Sequence, residues 1–324
     1  MPERVTIERL AQWLSAQEDI VLLGHVNPDG DALGSNLAIW HALRRMGKRA
    51  VVCLPGGAPD IYGELPGMDG VLDTASVLPF APKAALSVDV SEPARLGEAG
   101  QALFEACPAQ GVLDHHPTNT GFGQLWSMDG EAAAVGELAL ALIEGMGVAL
   151  TPEIADCLYV AILTDSGQFS FSGTTPATFR AAAKCADAGA RVSELARRIY
   201  KIHTLAHQKL LGLVLADMGT SEDGRIAWSR MTQAMMEAAG ARWEDTDGIV
   251  NFLVEIEGVQ AAILAEERGE ATKLSLRSNV PFNVCRAVAL PLGGGGHECA
   301  AGATVALGVD EALAKAVALA REAL

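Results

Sequence analysis

The chain has 324 residues, half of them apolar, and a formal net charge of −16. That length exceeds the ~250–300 residues at which a single core stops growing, so two domains are expected. The acid excess weighs against long duplex nucleic acid, which is held by clustered Lys and Arg, but leaves room for divalent cations and a short phosphorylated ligand.

No apolar run approaches the ~20 residues that span a bilayer. The start, Met1-Pro-Glu-Arg-Val-Thr-Ile-Glu8, lacks the basic-then-apolar layout of a signal peptide, so a cytoplasmic protein with no membrane partner is expected. Cys53, Cys107, Cys157, Cys185, Cys285 and Cys299 are scattered without a C-x-x-C pair, which fits small buried hydrophobes better than zinc or disulfides.

In chain order, residues 5–16 read as an amphipathic helix, and the apolar run Asp19–Gly24 as a buried strand. A polar loop, His25 to Ser35, leads into a helix over 34–46. A strand at 49–54 ends in Pro55-Gly-Gly57, and 56–82, rich in Gly and Pro, reads mostly as loop. Strands follow at 84–89, 111–116 and 124–128, with a helix at 93–106 between the first two. Helices then fill 132–146, 152–164, 176–188, 192–201 and 204–216. Strands alternating with helices predict a mostly parallel, five-stranded sheet flanked by helices over 1–190. A helical connector, 191–216, leads to a smaller α+β domain with a mixed sheet over 217–324. That second domain is read as strands at 225–230, 259–266, 272–277 and 303–307, with helices at 231–239, 246–256 and 310–323. The acidic stretch Asp217 to Gly224 reads as a hairpin or loop.

Four segments place ligand-type side chains at or just beyond strand or helix ends: His25/Asp29/Asp31, Asp89, Asp114/His115/His116, and Asp165. Taken singly, each Asp reads most simply as a turn or helix cap. Four together do not, because carboxylates ending apolar strands are costly unless paired. The set suits a site for two cations ~3.5–4 Å apart sharing a carboxylate, which lowers the pKa of a bridging water and clamps a phosphate. Mixed carboxylate and imidazole donors favour Mn²⁺ over an all-oxygen site.

The spacing His25-x-x-x-Asp29-x-Asp31, then Asp89, Asp114-His115-His116 and Asp165, resembles the DHH phosphoesterase superfamily. Ser91, Arg95-Leu-Gly97, Pro117-Thr-Asn119 and Phe122-Gly123 match its flanks. Leu274-Ser-Leu-Arg-Ser278 and Gly293-Gly-Gly-Gly-His-Glu-Cys-Ala-Ala-Gly302 resemble the DHH-associated C-terminal domain. Length and pairing most resemble the NrnA-type branch of oligoribonucleases and phosphoadenosine-phosphate phosphatases. The resemblance implies one metal on His25, Asp29 and Asp89, and a second on Asp31, Asp89, His115 and Asp165. It implies that Asp114 orients its neighbouring imidazole, and that His116 contacts the scissile phosphate and helps proton transfer. Arg277, Ser278 and His297 would hold substrate, with Gly294, Gly295 and Gly296 admitting the ligand close to the backbone, in a cleft between the domains.

The cofactors implied are two Mn²⁺, with Mg²⁺ or Co²⁺ as substitutes. The reaction implied is attack of a metal-bridging hydroxide on short RNA, releasing mononucleotides, and on 3′-phosphoadenosine 5′-phosphate, releasing AMP. Partners are short RNA oligonucleotides or phosphonucleotides, with a homodimer as one candidate assembly. A cyclic-di-AMP or linear dinucleotide phosphodiesterase is the nearest alternative. A non-catalytic nucleotide sensor and a RecJ-like single-strand exonuclease rank lower, and a manganese pyrophosphatase should lack the Gly293–Gly302 signature. Ser166 stands where the resemblance leads one to expect Thr, and Gln168 and Ser170 where a basic residue is expected. His41 reads as packing or surface, and the pair His203 and His207 as helix surface or interdomain contact.

Overall fold

The computed structural model describes residues 2–57, 59–296 and 298–324. These form two compact units, Met1–Ile202 and His203–Leu324.

The first unit runs β1 (Glu3–Arg4), α1 (Ile7–Ser15), β2 (Ile20–Leu23), α2 (Gly30–Arg45), β3 (Ala50–Leu54), β4 (Val71–Asp73), β5 (Ala84–Val88), α3 (Gly97–Ala106), β6 (Ala109–Asp114) and β7 (Leu125–Met128). It closes with α4 (Val135–Gly145), α5 (Pro152–Asp165), α6 (Pro176–Asp187) and α7 (Val192–Tyr200). All strand pairs are parallel, in the order β1-β7-β6-β5-β2-β3-β4. The chain therefore winds outward both ways from the β2–β5 pair. That is the switch point of the sheet, beyond whose carboxyl ends such folds bind ligands. His25 follows β2, and Asp89 follows β5.

Alternation along the strands divides the core into two layers. Ile20 and Leu22 face a cluster with Leu10, Leu33, Leu37, Leu138 and Leu158 from α1, α2, α4 and α5. Val21 and Leu23 face Leu96 and, from α3, Phe104. Seven strands replace the expected five. The additional pair, β1 and β4, are edge strands of two and three residues, too short to show a period. β4 lies inside the stretch read as loop, paired with β3 through Leu54 and Asp73. Helix α2 starts four residues earlier than expected, because Asp29 caps it.

The second unit contains α8 (Leu205–Ala216), β8 (Gly219–Thr220), β9 (Ile226–Met231), α9 (Gln233–Ala239), α10 (Asn251–Val254), β10 (Ala261–Arg268), β11 (Ala271–Ser278), β12 (Gly295–Gly296), β13 (Ala300–Val305) and α11 (Val309–Ala323). The sheet is mixed, in the order β12-β13-β11-β10-β9-β8, with β9 and β10 parallel and the remaining pairs antiparallel. The expected helix over 246–256 is broken. Gly248 at φ +76° stops a helical path, leaving a 3₁₀ turn at Trp243–Thr246 and the single turn of α10. Among the described residues, no helix is long and apolar enough to cross a membrane.

Small residues set how closely α2, α4 and α5 approach. A Cβ at Gly34 would collide with the Cys157 carbonyl oxygen, and one at Gly30 would lie 2.5 Å from Thr164 Oγ1. At Gly136 the clash would be with Ala161 Cβ, at 2.8 Å. These contacts bring the amino ends of α2 and α4 to the carboxyl end of α5, where Asp165 sits. Gly34→Ala is therefore expected to lower stability by about 1–3 kcal/mol through overpacking. Urea unfolding measures this, and an unchanged midpoint would show that the helices have slack.

Candidate metal centre

Each ligand-type side chain is held by a local device. Asp29 caps α2, its Oδ1 accepting from the amides of Asp31 and Ala32 at 3.0 Å each. The cap uses only one oxygen, and Oδ2 lies 3.8 Å from His25 Nε2. His25 Nδ1 is 2.8 Å from the Val26 carbonyl, which can only accept, so Nδ1 carries a proton and Nε2 of the neutral ring is left free to coordinate. His115 is built likewise, with Nδ1 3.0 Å from the Ala132 carbonyl and Nε2 3.3 Å from Asp165 Oδ2.

Asp31 is fully buried. Its Oδ2 accepts from the Val135 amide at 2.6 Å, and its Oδ1 from the Gly136 amide at 2.9 Å and from Ser35 Oγ at 3.0 Å. The two amides are donors at the amino end of α4, which have no partner inside the helix. This anchor left no mark in sequence spacing, since Asp31 and Val135 are 104 residues apart.

Asp89 lies at the centre. It is 2% exposed and sits at φ +63°, a strained conformation that Asp tolerates better than most residues. Its Oδ2 is 3.5 Å from His25 Nε2, and its Oδ1 is 3.7 Å from His115 Nε2 and 3.6 Å from His116 Nδ1. Among the described residues nothing donates a hydrogen bond to Oδ1, although it is buried. A dry carboxylate oxygen facing imidazole nitrogens is a coordination position for a cation.

Asp114 is turned away from that centre. It accepts from His116 Nδ1 at 2.8 Å and from Asn119 Nδ2 at 2.7 Å. The neighbouring imidazole that it orients is thus His116. Burial opposes its charge, but the His116 and Asn119 bonds outweigh this and hold its pKa below the ordinary value. The same pair raises the His116 pKa against burial, with the Asp89 charge helping and that of Arg95 opposing. Arg95 sits on the 3₁₀ turn Pro93–Leu96, and its carbonyl accepts from the Val26 amide at 2.7 Å, joining the loops after β5 and β2. Sequence spacing singled out Arg95 only as a flank.

Three donor groups have ligand atoms within 4.8 Å of one another: His25/Asp29/Asp89, Asp31/His115/Asp165 and Asp89/His115/His116. The donor chemistry fits two divalent cations, with Asp89 between the first group and the His115 side of the second. Arg277, Ser278 and Gly294–Gly296 belong to the second unit, and His297 lies outside the described residues.

Residues 19–162 match the DHH family, N-terminal domain, and residues 227–324 the DHHA1 domain. Over 322 residues the chain is 35% identical to the bifunctional oligoribonuclease and PAP phosphatase NrnA of Thermus thermophilus, covering 97% of this chain and 93% of that protein. The chain belongs to the DHH family. The NrnA protein of Bacillus subtilis is 26% identical over 303 residues, covering 91% of this chain and 92% of its own. In fold, this DHH-family enzyme is similar to an exopolyphosphatase-related protein from Bacteroides fragilis, with a TM-score of 0.90 and 27% identity over 98% of this chain and 94% of that one.

In the DHHA1 unit, Arg277 is half-buried on β11. Its Nε donates to Asn251 Oδ1 at 3.1 Å and its Nη1 to the Leu276 carbonyl at 3.0 Å. Among the described residues no carboxylate is within ion-pair distance, and burial lowers its pKa against the charge of Asp247. Its two bonds go to neutral acceptors and the charge of Asp247 offsets burial only in part, so the guanidinium suits an anion. Ser278 uses its hydroxyl proton internally, on the carbonyls of Phe282 at 2.6 Å and Glu298 at 3.3 Å. Gly294 and Gly296 are required by β13, where a Cβ on either would strike the Gly302 or Ala300 carbonyl oxygen, whereas Gly295 faces open space. His207 is buried rather than on the helix surface, with Nδ1 2.8 Å from the Asp245 carbonyl, and it stacks on His203 at 4.3 Å.

Without cations this cluster holds protons. Burial opposes the charge on His25, but the bonds and charges of Asp29 and Asp89 outweigh it and push its pKa up to about 10. Burial, with Asp89, Asp165 and Asp29 alongside, raises the Asp31 pKa well above the carboxylate range, and burial pushes Asp165 up to about 6. Cation binding at pH 7 must displace the His25 proton. Apparent affinity should therefore rise with pH up to about 10. Calorimetry of Mn²⁺ binding in buffers of different ionisation enthalpy should register net proton release, and a buffer-independent heat would contradict this. Asp29→Asn and Asp31→Asn should each weaken a different cation, and identical losses in a two-site titration would contradict the division.

Proposed function

We propose that this chain is a two-cation phosphoesterase that hydrolyses short RNA oligonucleotides to mononucleotides and 3′-phosphoadenosine 5′-phosphate to AMP, with Mn²⁺ as the cofactor. The observation carrying the reading is Asp89, a buried carboxylate whose two oxygens face different donor groups. The names of the Thermus thermophilus and Bacillus subtilis relatives support the substrate class. His25, Asp29 and Asp89 would hold one cation, and Asp31, Asp89, His115 and Asp165 the other. When bound, such a pair supplies a water of lowered pKa and neutralises the phosphate.

The remaining roles fall to the protein's own groups. The carbonyls of Val26 and Ala132 keep Nε2 of His25 and His115 turned to the cations. Asp114 holds His116 by Nδ1 and raises its pKa, which favours a ring that brings positive charge to the phosphate and a proton to the leaving oxygen. Arg277 binds a non-scissile phosphate with its guanidinium fork.

A panel with Mn²⁺ tests the substrate class: 3′-phosphoadenosine 5′-phosphate, a dinucleotide, a five-nucleotide RNA, linear and cyclic di-AMP, and pyrophosphate, with Asp89→Ala as the blank. Turnover of the first three is expected, and turnover of pyrophosphate alone would overturn the assignment. Arg277→Ala should raise KM roughly tenfold or more, the worth of a charged hydrogen bond of about 1.5–3 kcal/mol, with Mn²⁺ binding unchanged. Loss of Mn²⁺ together with activity would contradict that role.

A further inference from the structure

Asp165 is the last residue of α5, and the chain beyond it does not leave the site directly. Ser166 caps the helix, and its carbonyl accepts from the amides of both Ser170 and Phe171 at 3.0 Å. Its Oγ accepts from the Phe169 amide at 3.1 Å. The segment curls back on the helix end, and this needs left-handed backbone at Gly167, Gln168 and Phe169. Strain at two non-glycine positions in succession persists only where surrounding bonds over-determine it.

That turn presents one aromatic ring. Phe169 points inward, packed on the main core and stacked on Phe179 at 5.2 Å. Phe171 points out and is 61% exposed. It is not loose, because one side of its ring lies over Gly167, where a Cβ would come within 2.5 Å of Cε1. Its own carbonyl accepts from the Thr174 amide at 3.0 Å. Gln168, Ser170, Ser172 and Gly173 around it are exposed and polar or small. Phe179, stacked on Phe169, is also 55% exposed, and two rings bordered by polar and small residues are too little for a protein-docking patch. The Phe171 ring matches a planar heterocycle in size, and it lies over a residue two positions from a candidate cation ligand.

We propose that Phe171 is the stacking platform for the nucleobase attached to the phosphate bound at the cation cluster. This rests on the phosphoesterase reading above and adds the base subsite to it. Base stacking on an aromatic ring is worth about 1–3 kcal/mol and tolerates every base. The subsite therefore binds nucleotides of any sequence, which suits a hydrolase of short mixed RNA. The ring excludes a phosphate-only substrate from this part of the binding energy.

The test compares the native chain with Phe171→Ala and Phe171→Trp, all Mn²⁺-loaded. The substrates are a normal dinucleotide and one that is abasic at the nucleoside joined to the scissile phosphate. Phe171→Ala should raise KM for the normal dinucleotide by about 5- to 150-fold. It should leave the abasic substrate unchanged, and Phe171→Trp should restore the native value. In parallel, a non-hydrolysable dinucleotide carrying 2-aminopurine should lose fluorescence on binding the native and Trp forms, and lose less on the Ala form. Equal KM ratios and equal quenching in native and Ala forms would overturn the stacking role while leaving the phosphoesterase intact. Differential quenching with no turnover of any nucleotide would uphold the platform and sink the hydrolase. A native chain that neither binds the probe nor cleaves dinucleotides would overturn both.

Discussion

Carboxylates repel one another, and the first unit packs Asp29, Asp31, Asp89 and Asp165 around two imidazoles, with Asp31 and Asp89 buried, Asp165 partly buried and Asp29 at the exposed rim. Nothing in the hydrophobic core requires this. The charge is tolerated because each group has a specific compensation. Asp29 is compensated by the amides of its own helix, Asp31 by the amino end of α4, and Asp114 by His116 and Asn119. Asp89 is the exception, since its Oδ1 has no hydrogen-bond donor among the described residues. A proton on His25 is the remedy available without cations. Divalent cations are the stronger remedy, because they satisfy the whole cluster together.

The scaffold is arranged around that requirement. The sheet reverses its winding between β2 and β5, so His25 and Asp89 emerge side by side from neighbouring strands. β6 adds Asp114 with His115 and His116 next along the same edge. Asp165 arrives from outside the sheet, on α5. The approach of α5 to α2 and α4 depends on Gly30, Gly34 and Gly136 having no side chain. Packing thus sets the geometry of the site, and the site gives a reason for leaving Gly34 inside a helix, where glycine costs about 1 kcal/mol against alanine.

The candidate donor residues stood out in the sequence because most of them follow apolar strands and Asp165 ends an apolar helix, and the motif spacing carried the family resemblance over both domains. What was not legible was non-local. No spacing rule could pair Asp31 with amides more than a hundred residues away, or His115 with the Ala132 carbonyl. The strands β1 and β4 are too short to show a period, and Gly248 broke a stretch whose composition looked helical. The glycine run illustrates a different limit. Its residues were read for ligand approach, yet Gly294 and Gly296 answer to the tight pairing of β12 with β13. Ser278 likewise carries an internal turn.

The central claim is that Asp89 is shared by two cations. Electron paramagnetic resonance of the Mn²⁺-loaded chain tests it most directly, because a carboxylate-bridged pair couples its spins and isolated ions do not. The account predicts two Mn²⁺ per chain with the coupled signal, and loss of coupling in Asp89→Ala. Two uncoupled ions in the native chain, or coupling that survives removal of the Asp89 carboxylate, would contradict it.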